Sequence, residues 1–135
     1  MEQNEPYYLK KYKLYEENDT SGDAQVHFEG VIRFGQEDHP ISAAGNGPVS
    51  AFFHALKTIG ITEYTFVSYR EHAVSAGADS KAVSYIHLAG PNGEPLFGVG
   101  MDNNISFASI KGIICAINRA KSAAKKAGGM TNENI

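Results

Sequence analysis

The chain is 135 residues long, 42% hydrophobic and 20% charged, with a formal net charge of −3. Those values suit one ordinary globular domain with a core of its own. They exclude several classes at once. No stretch approaches the ~18 apolar residues of a membrane span. The lysines and arginines are scattered until the C-terminal end, so no basic stripe marks a nucleic-acid partner. The single cysteine, Cys115, allows no disulfide within the chain, which favours a reducing compartment. Residues 1–6 carry neither a basic nor an apolar signal-peptide region, and a cytosolic protein is expected.

Residues 1–6 are expected to be disordered. The segment from Tyr7 to Glu16 is rich in tyrosine and reads as a strand, followed by a turn over Asn18 to Asp23. Ala24 to Phe34 alternates, with Val26, Phe28, Gly30, Ile32 and Phe34 on one face, the pattern of a half-buried strand. Gly35 to Asp38 turns the chain into a third strand, His39 to Ala44. The period then changes: Val49, Phe52, Phe53, Leu56 and Ile59 fall at helical spacing,. Pro48 suits the first helical position, and Gly60 suits the end.

A second set repeats the order. Strands are expected over Thr62 to Ser75, Ser80 to Ala89 and Pro95 to Met101, the last two joined by a turn at Gly90-Pro91-Asn92-Gly93,. A helix follows from Ile105 to about Lys125, with Ile110, Ile113, Ile114, Ile117 and Ala120 on its apolar face. Lys121, Lys125 and Lys126 would complement its dipole, and 127–135 reads as a flexible tail. The fold class is therefore α+β: two βββα units, 7–60 and 61–126, related by a pseudo-twofold axis, with helices packed on antiparallel sheets. Gly45-Asn46-Gly47 before the first helix is echoed by Gly98-Val99-Gly100 before the second, 53 residues on (98 minus 45). The sheet faces turned away from the helices need cover, which a homodimer supplies.

The two Gly-x-Gly segments are the main chemical candidates. Glycine lets backbone N–H groups approach a ligand, and a helix start adds unsatisfied donors and a positive dipole end. Such a place takes a carboxylate or phosphate; equally, the glycines permit tight turns and nothing more. The five histidines, His27, His39, His54, His72 and His87, form no metal-ligand spacing, so no metal is expected,. His27 and His87 read as cross-strand polar residues, and His72 as a structural histidine bonding a backbone group. Cys115 lies mid-helix among isoleucines and reads as a buried, inert thiol. Glu71 and Asp79 flank a loop without a paired acid–base arrangement. No catalytic site is found.

Three separated motifs carry a family resemblance. Gly45-Asn46-Gly47-Pro48-Val49-Ser50-Ala51-Phe52-Phe53-His54-Ala55-Leu56, then Tyr69 through Ala82, then Gly98 through Ala120 resemble, in order, the C-terminal regulatory domain of 2-isopropylmalate synthases. The likeness runs from about Tyr7 to Ala120. It implies an allosteric domain, 7–126, that binds leucine at a dimer interface and slows catalysis. The family's catalytic barrel, which joins acetyl-CoA to 2-oxoisovalerate with a divalent metal, is absent from this chain, so no cofactor is expected here. By matching motifs, the leucine site would draw on Gly45, Gly47 and Val49 at the first helix. Phe66, Tyr69 and Ala73 on the next strand, Ser80 and Ala82 after the loop, and Met101 and Ile105 at the second helix would complete it. The isoleucine-responsive domain of citramalate synthases is a related alternative. A stand-alone ligand-binding module acting in trans is another.

Overall fold

The computed structural model describes residues 6–18, 24–74 and 81–133. Its elements are β1 (Tyr8–Asn18), β2 (Ala24–Phe34), β3 (Glu37–Gly45), α1 (Pro48–Lys57), β4 (Thr65–Val74), β5 (Lys81–Ala89), β6 (Pro95–Asp102) and α2 (Ile105–Glu133). They form two antiparallel three-stranded sheets, ordered β1-β2-β3 and β4-β5-β6, each followed by a helix. The α+β fold of two βββα units is thus present, and the chain divides after Glu63 rather than after Gly60. Most of the turn expected over Asn18 to Asp23, the loop at 75–80 and, save Pro6, the disorder expected over residues 1–6 lie outside the described residues.

In the first unit the alternation of β2 sets the core. Phe28 and Ile32 are buried with Ile41 of β3 and with Ala51, Phe52, Ala55 and Leu56 of α1, which lies over β3 and β2. Phe28 meets Phe52 edge to face at 5.0 Å, and Tyr12 of β1 stacks on Phe28 at 6.2 Å. The β2–β3 hairpin turns on Gly35 and Gln36, with φ of 60° and 65°, the mirror-image turn whose twist matches paired strands. At the end of α1, Gly60 takes φ of 84°. The Gly60 N–H then donates to Lys57 O and the Ile61 N–H to Leu56 O, both at 3.1 Å. This closes the helix and brings Ile61 down on Leu56. The sheet face away from α1 is polar: Arg33 pairs with Asp38 at 2.8 Å, His27 with Glu17 at 2.7 Å and Lys13 with Glu29 at 3.7 Å.

In the second unit α2 lies over β6 and β5, and three glycines set how closely. A methyl group at Gly98 would overlap the Gly112 carbonyl and sit 2.5 Å from the Ala116 nitrogen. One at Gly100 would overlap the Ala108 carbonyl and sit 2.5 Å from the Gly112 nitrogen. Helix and strand backbones therefore touch, and the buried Ser84 and Ser109 hydroxyls bond across the seam at 2.9 Å. Ile86, Leu88, Ile110, Ile113 and Ile117 fill the remaining core.

Three expectations are corrected here. Gly98-Val99-Gly100 is not a turn before a helix; it is mid-strand, and its glycines admit α2. The true repeat is 57 residues, since α1 starts at Pro48 and α2 at Ile105 (105 minus 48). The registers agree: Tyr12, Gly30 and Ile41 lie side by side in one sheet as Tyr69, Ile86 and Gly98 do in the other. Both first strands also carry an irregularity at the matching place, Leu9/Lys11 and Phe66/Ser68. Gly45-Asn46-Gly47 therefore corresponds to Asp102-Asn103-Asn104. Second, α2 continues to Glu133, through most of the expected tail. Ala123 to Ala127 are strong helix formers, and Gly128 and Gly129 each cost only ~1 kcal/mol. No basic residue occupies its last turn, so the lysines expected to cap the dipole sit mid-helix. Third, Cys115 is half-buried rather than buried.

Candidate functional site: the start of the first helix

The chain leaves β3 at Gly45, passing so close under α1 that a methyl there would stand 2.6 Å from the Ala51 nitrogen and the Ser50 hydroxyl. Gly47 is the N-cap, fully extended at φ −163° and ψ 172°, and no side chain caps the helix. Pro48 follows at the first helical position. The first intrahelical bond runs from the Ala51 N–H to Gly47 O at 2.9 Å, so the Val49 and Ser50 amides precede any helical acceptor. The first turn holds no acidic residue. Space in front of Gly47 is open, with nothing within 4 Å of where a Cβ would be. His54 reaches back from α1, its Nδ1–H donating to Ala44 O at 2.8 Å, and fixes the helix on the end of β3. Donors, dipole and free space thus converge on one spot, and the helix's own first turn supplies no anion to it,.

The matching place in the second unit is filled. Asn104 caps α2, its Oδ1 accepting from the Ser106 N–H at 2.8 Å and the Phe107 N–H at 3.1 Å. Asp102 accepts from the Asn104 N–H at 2.9 Å and pairs with Lys111 at 2.8 Å. The Lys111 ammonium, against some burial, holds the Asp102 carboxyl below its ordinary range. An anion arriving here would meet oxygens. The Asp-Asn-Asn sequence is a strong N-cap signal, and it was legible without coordinates.

The remaining expected site residues lie in the second unit. Phe66 and Tyr69 share the helix side of β4, opposite Leu88 and Ile86, with rings 5.9 Å apart. Because α2 lies over β6 and β5, Tyr69 remains 48% exposed. A hydrogen bond to Glu71 raises the pKa of its phenol. Ala73 pairs with Ala82, which also pairs with Asp102. Ile105 is the half-buried first residue of α2. Met101 stands apart, since it pairs with Val83 on the opposite face from Tyr69 and Ala82. Ser80 lies outside the described residues. His27 and His87 are cross-strand as expected, stacked on Tyr15 at 4.9 Å and on Phe97 at 4.7 Å. His72 is exposed on β4. Among the described residues no group of three potential metal ligands gathers, and no helix is long and apolar enough to cross a membrane.

Two βββα units, one with an open helix start and one with the same start occupied by its own side chains, define a duplicated α+β module. The family model of the LeuA allosteric (dimerisation) domain matches residues 1–121, and the chain belongs to that family. It is 41% identical over 122 residues to the 2-isopropylmalate synthase of Clostridium acetobutylicum, covering 90% of this chain and 22% of that protein. It is 38% identical over 104 residues to the synthase of Thermobifida fusca, covering 77% and 18%. Against that of Mycobacterium ulcerans it is 42% identical over 101 residues, covering 75% and 16%. The chain therefore spans no more than about a fifth of these relatives.

Proposed function

We propose that this chain is the leucine-sensing regulatory domain of a 2-isopropylmalate synthase, acting as a dimer and feeding back on a catalytic barrel carried outside these residues. The observation that carries the reading is the asymmetry of the two helix starts. Only α1 leaves its first amides and dipole end to an outside carboxylate, whereas α2 spends its own on Asn104. The relatives are 2-isopropylmalate synthases, and the family resemblance implies leucine as the effector.

Magnitudes restrict the mode of binding. A carboxylate at a helix start contributes up to ~2 kcal/mol, and burial of an isobutyl group ~1.5–3 kcal/mol. Together these reach roughly a millimolar Kd before the cost of immobilising the ligand. The ammonium group must therefore be held as well. Titration calorimetry on the chain tests this. Leucine is expected to bind, valine at least about tenfold more weakly for its missing methylene, and 4-methylpentanoate, which lacks the ammonium, not at all. Equal binding of valine and leucine, or none of leucine, overturns the reading.

A further inference from the structure

The two helices are tied back to their strands at the same place by unlike side chains. His54 stands on α1 seven residues beyond the N-cap Gly47 (54 minus 47), and its Nδ1–H donates to Ala44 O at 2.8 Å. With the offset of 57 residues, the counterparts are Lys111 of α2 and Met101 of β6. The Lys111 ammonium lies 3.5 Å from Met101 O and 2.8 Å from the Asp102 carboxylate. β3 and β6 are edge strands, whose outer carbonyls are free to take such a bond. The second unit repeats the device further on, where Arg119 donates to Phe97 O at 3.1 Å. The matching position in the first unit is 62, beyond the end of α1 at Lys57, so α1 has no second tie of this kind. The crossings that precede the two helices also differ. Asp102 and Asn104 hold the second by three bonds to backbone amides. Their counterparts, Gly45 and Gly47, have no side chains to do so, and glycine has the most backbone freedom to lose.

We infer that His54 is a positioning residue for the start of α1. Its bond to Ala44 O holds the Gly45–Gly47 crossing still, so that the Val49 and Ser50 amides present one fixed cradle to an arriving carboxylate. The part it plays in binding rests on the leucine reading above; the tie itself rests on the matched contacts of the two units. A carbonyl only accepts, so Nδ1 carries the proton. The neutral ring is then the Nδ1–H tautomer. The imidazolium donates from the same atom, so the tie persists when the ring takes up a proton. A ligand that meets a preformed site loses less of its interaction energy to ordering that site. Without the tie, the two glycines flanking Asn46 sample many backbone angles, and each leucine that binds must order them. Affinity falls although no group that touches leucine has been removed. His54→Asn keeps an N–H donor on the same side-chain atom, Cγ, that bears Nδ1 in histidine. His54→Leu keeps the bulk and removes the donor.

Three measurements on the whole chain test this. Nitrogen NMR of the imidazoles, at a pH where the ring is neutral, should show His54 as the Nδ1–H tautomer. The Nε2–H tautomer, which free histidine prefers, overturns the tie. Backbone relaxation without ligand should give the Asn46 and Gly47 amides the order parameter of rigid backbone, about 0.85, falling below about 0.6 in His54→Leu and recovering in His54→Asn. Asn103 and Asn104 should not change in either variant. Unchanged mobility at Asn46 and Gly47 in His54→Leu overturns the proposal. Calorimetry should find leucine bound at least about fivefold more weakly by His54→Leu, the factor that one net hydrogen bond is worth, and within about twofold of the unmodified chain by His54→Asn. Equal affinity in all three chains overturns positioning. So does an equal loss in both variants, which would make the ring itself a contact of leucine. Tautomer and mobility are read without leucine, so a chain that binds none refutes the leucine reading while the tie is judged separately. The tautomer needs no substitution, which keeps the test decisive even if His54→Leu folds poorly.

Discussion

Single residues here act through what they leave open as much as through what they touch. Gly47 and Asn104 occupy the same place in the two units, and the Asn104 side chain separates a filled helix start from an open one. Gly47→Asn should convert the first into a copy of the second. The backbone is extended and nothing lies within 4 Å of a new Cβ, and glycine and asparagine differ at an N-cap by only a few tenths of a kcal/mol. Stability in urea should therefore be nearly unchanged while leucine binding is lost, because the new amide oxygen takes the donors a carboxylate would use. Unchanged leucine affinity in this variant would place the carboxylate elsewhere. Asp38 offers an independent check on the polar face of the first sheet. Hydrogen bonds from Arg33 and then Lys10 draw its carboxyl down to about 2. A folded-state pKa below the unfolded one means that the stabilisation is full above the ordinary carboxylate range. It is lost as pH falls through about 2. Arg33→Met should raise the midpoint of Asp38, followed by NMR, toward 3.8. The pair is exposed, so its part in overall stability is small.

At the scale of elements, the seam between β6 and α2 is the least forgiving part of the molecule. Gly98, Gly100 and Gly112 hold two backbones in contact, and a methyl at Gly100 meets backbone atoms that cannot turn aside. Gly100→Ala should cost at least ~1–3 kcal/mol, the usual range for overpacking, read as a lower urea midpoint. Ser84→Ala should cost ~1–3 kcal/mol by leaving the buried Ser109 hydroxyl without its partner,. This seam is also where sequence reasoning went astray. The alternation of β2 and the wide apolar stripe of α1 are local signals, and they gave the first unit nearly residue for residue. Gly-Val-Gly is not a local signal. A glycine pair serves a turn, a ligand or a crossing helix equally well, and the choice is made by how Ala108 and Gly112 of the following helix fold back on the strand. Misreading it set the repeat at 53 residues and hid the equivalence of Gly47 with Asn104. Parity along β6 had the remaining information. Once Gly98 and Gly100 face the helix, Met101 must face away, and it separates from Tyr69 and Ala82. The open start of α1 was legible in part: Pro48 marks the first helical position and so leaves Gly47, which has no side chain, as the N-cap, whereas the neighbouring Asn46 could equally have read as a cap.

For the whole molecule, sensing and stability are linked by mass action. Anything that binds the folded chain and not the unfolded one stabilises it by RT ln(1 + [L]/Kd), about 2.7 kcal/mol at a ligand concentration of one hundred times Kd. For a domain of this size each kcal/mol moves the melting point by roughly 3–5 °C. Saturating leucine should therefore raise Tm by roughly 10 °C, and valine at the same concentration by clearly less. The ligand-free Gly47→Asn chain should melt close to the unmodified one and show no shift with leucine, which separates a lost site from a damaged fold. The dimer adds a second dependence. Because dimerisation stabilises the folded chain by mass action, Tm in the absence of leucine should climb with protein concentration. A regulatory domain requires that the two linkages interact, because an effector reaches a distant active site only by favouring one global state over another, typically by ~1–3 kcal/mol. Leucine should then change the dimer dissociation constant by about five- to 150-fold in one direction. Sedimentation across a leucine series measures that coupling. A dimer constant that does not move with leucine would mean that sensing at α1 and assembly are separate properties of the same fold.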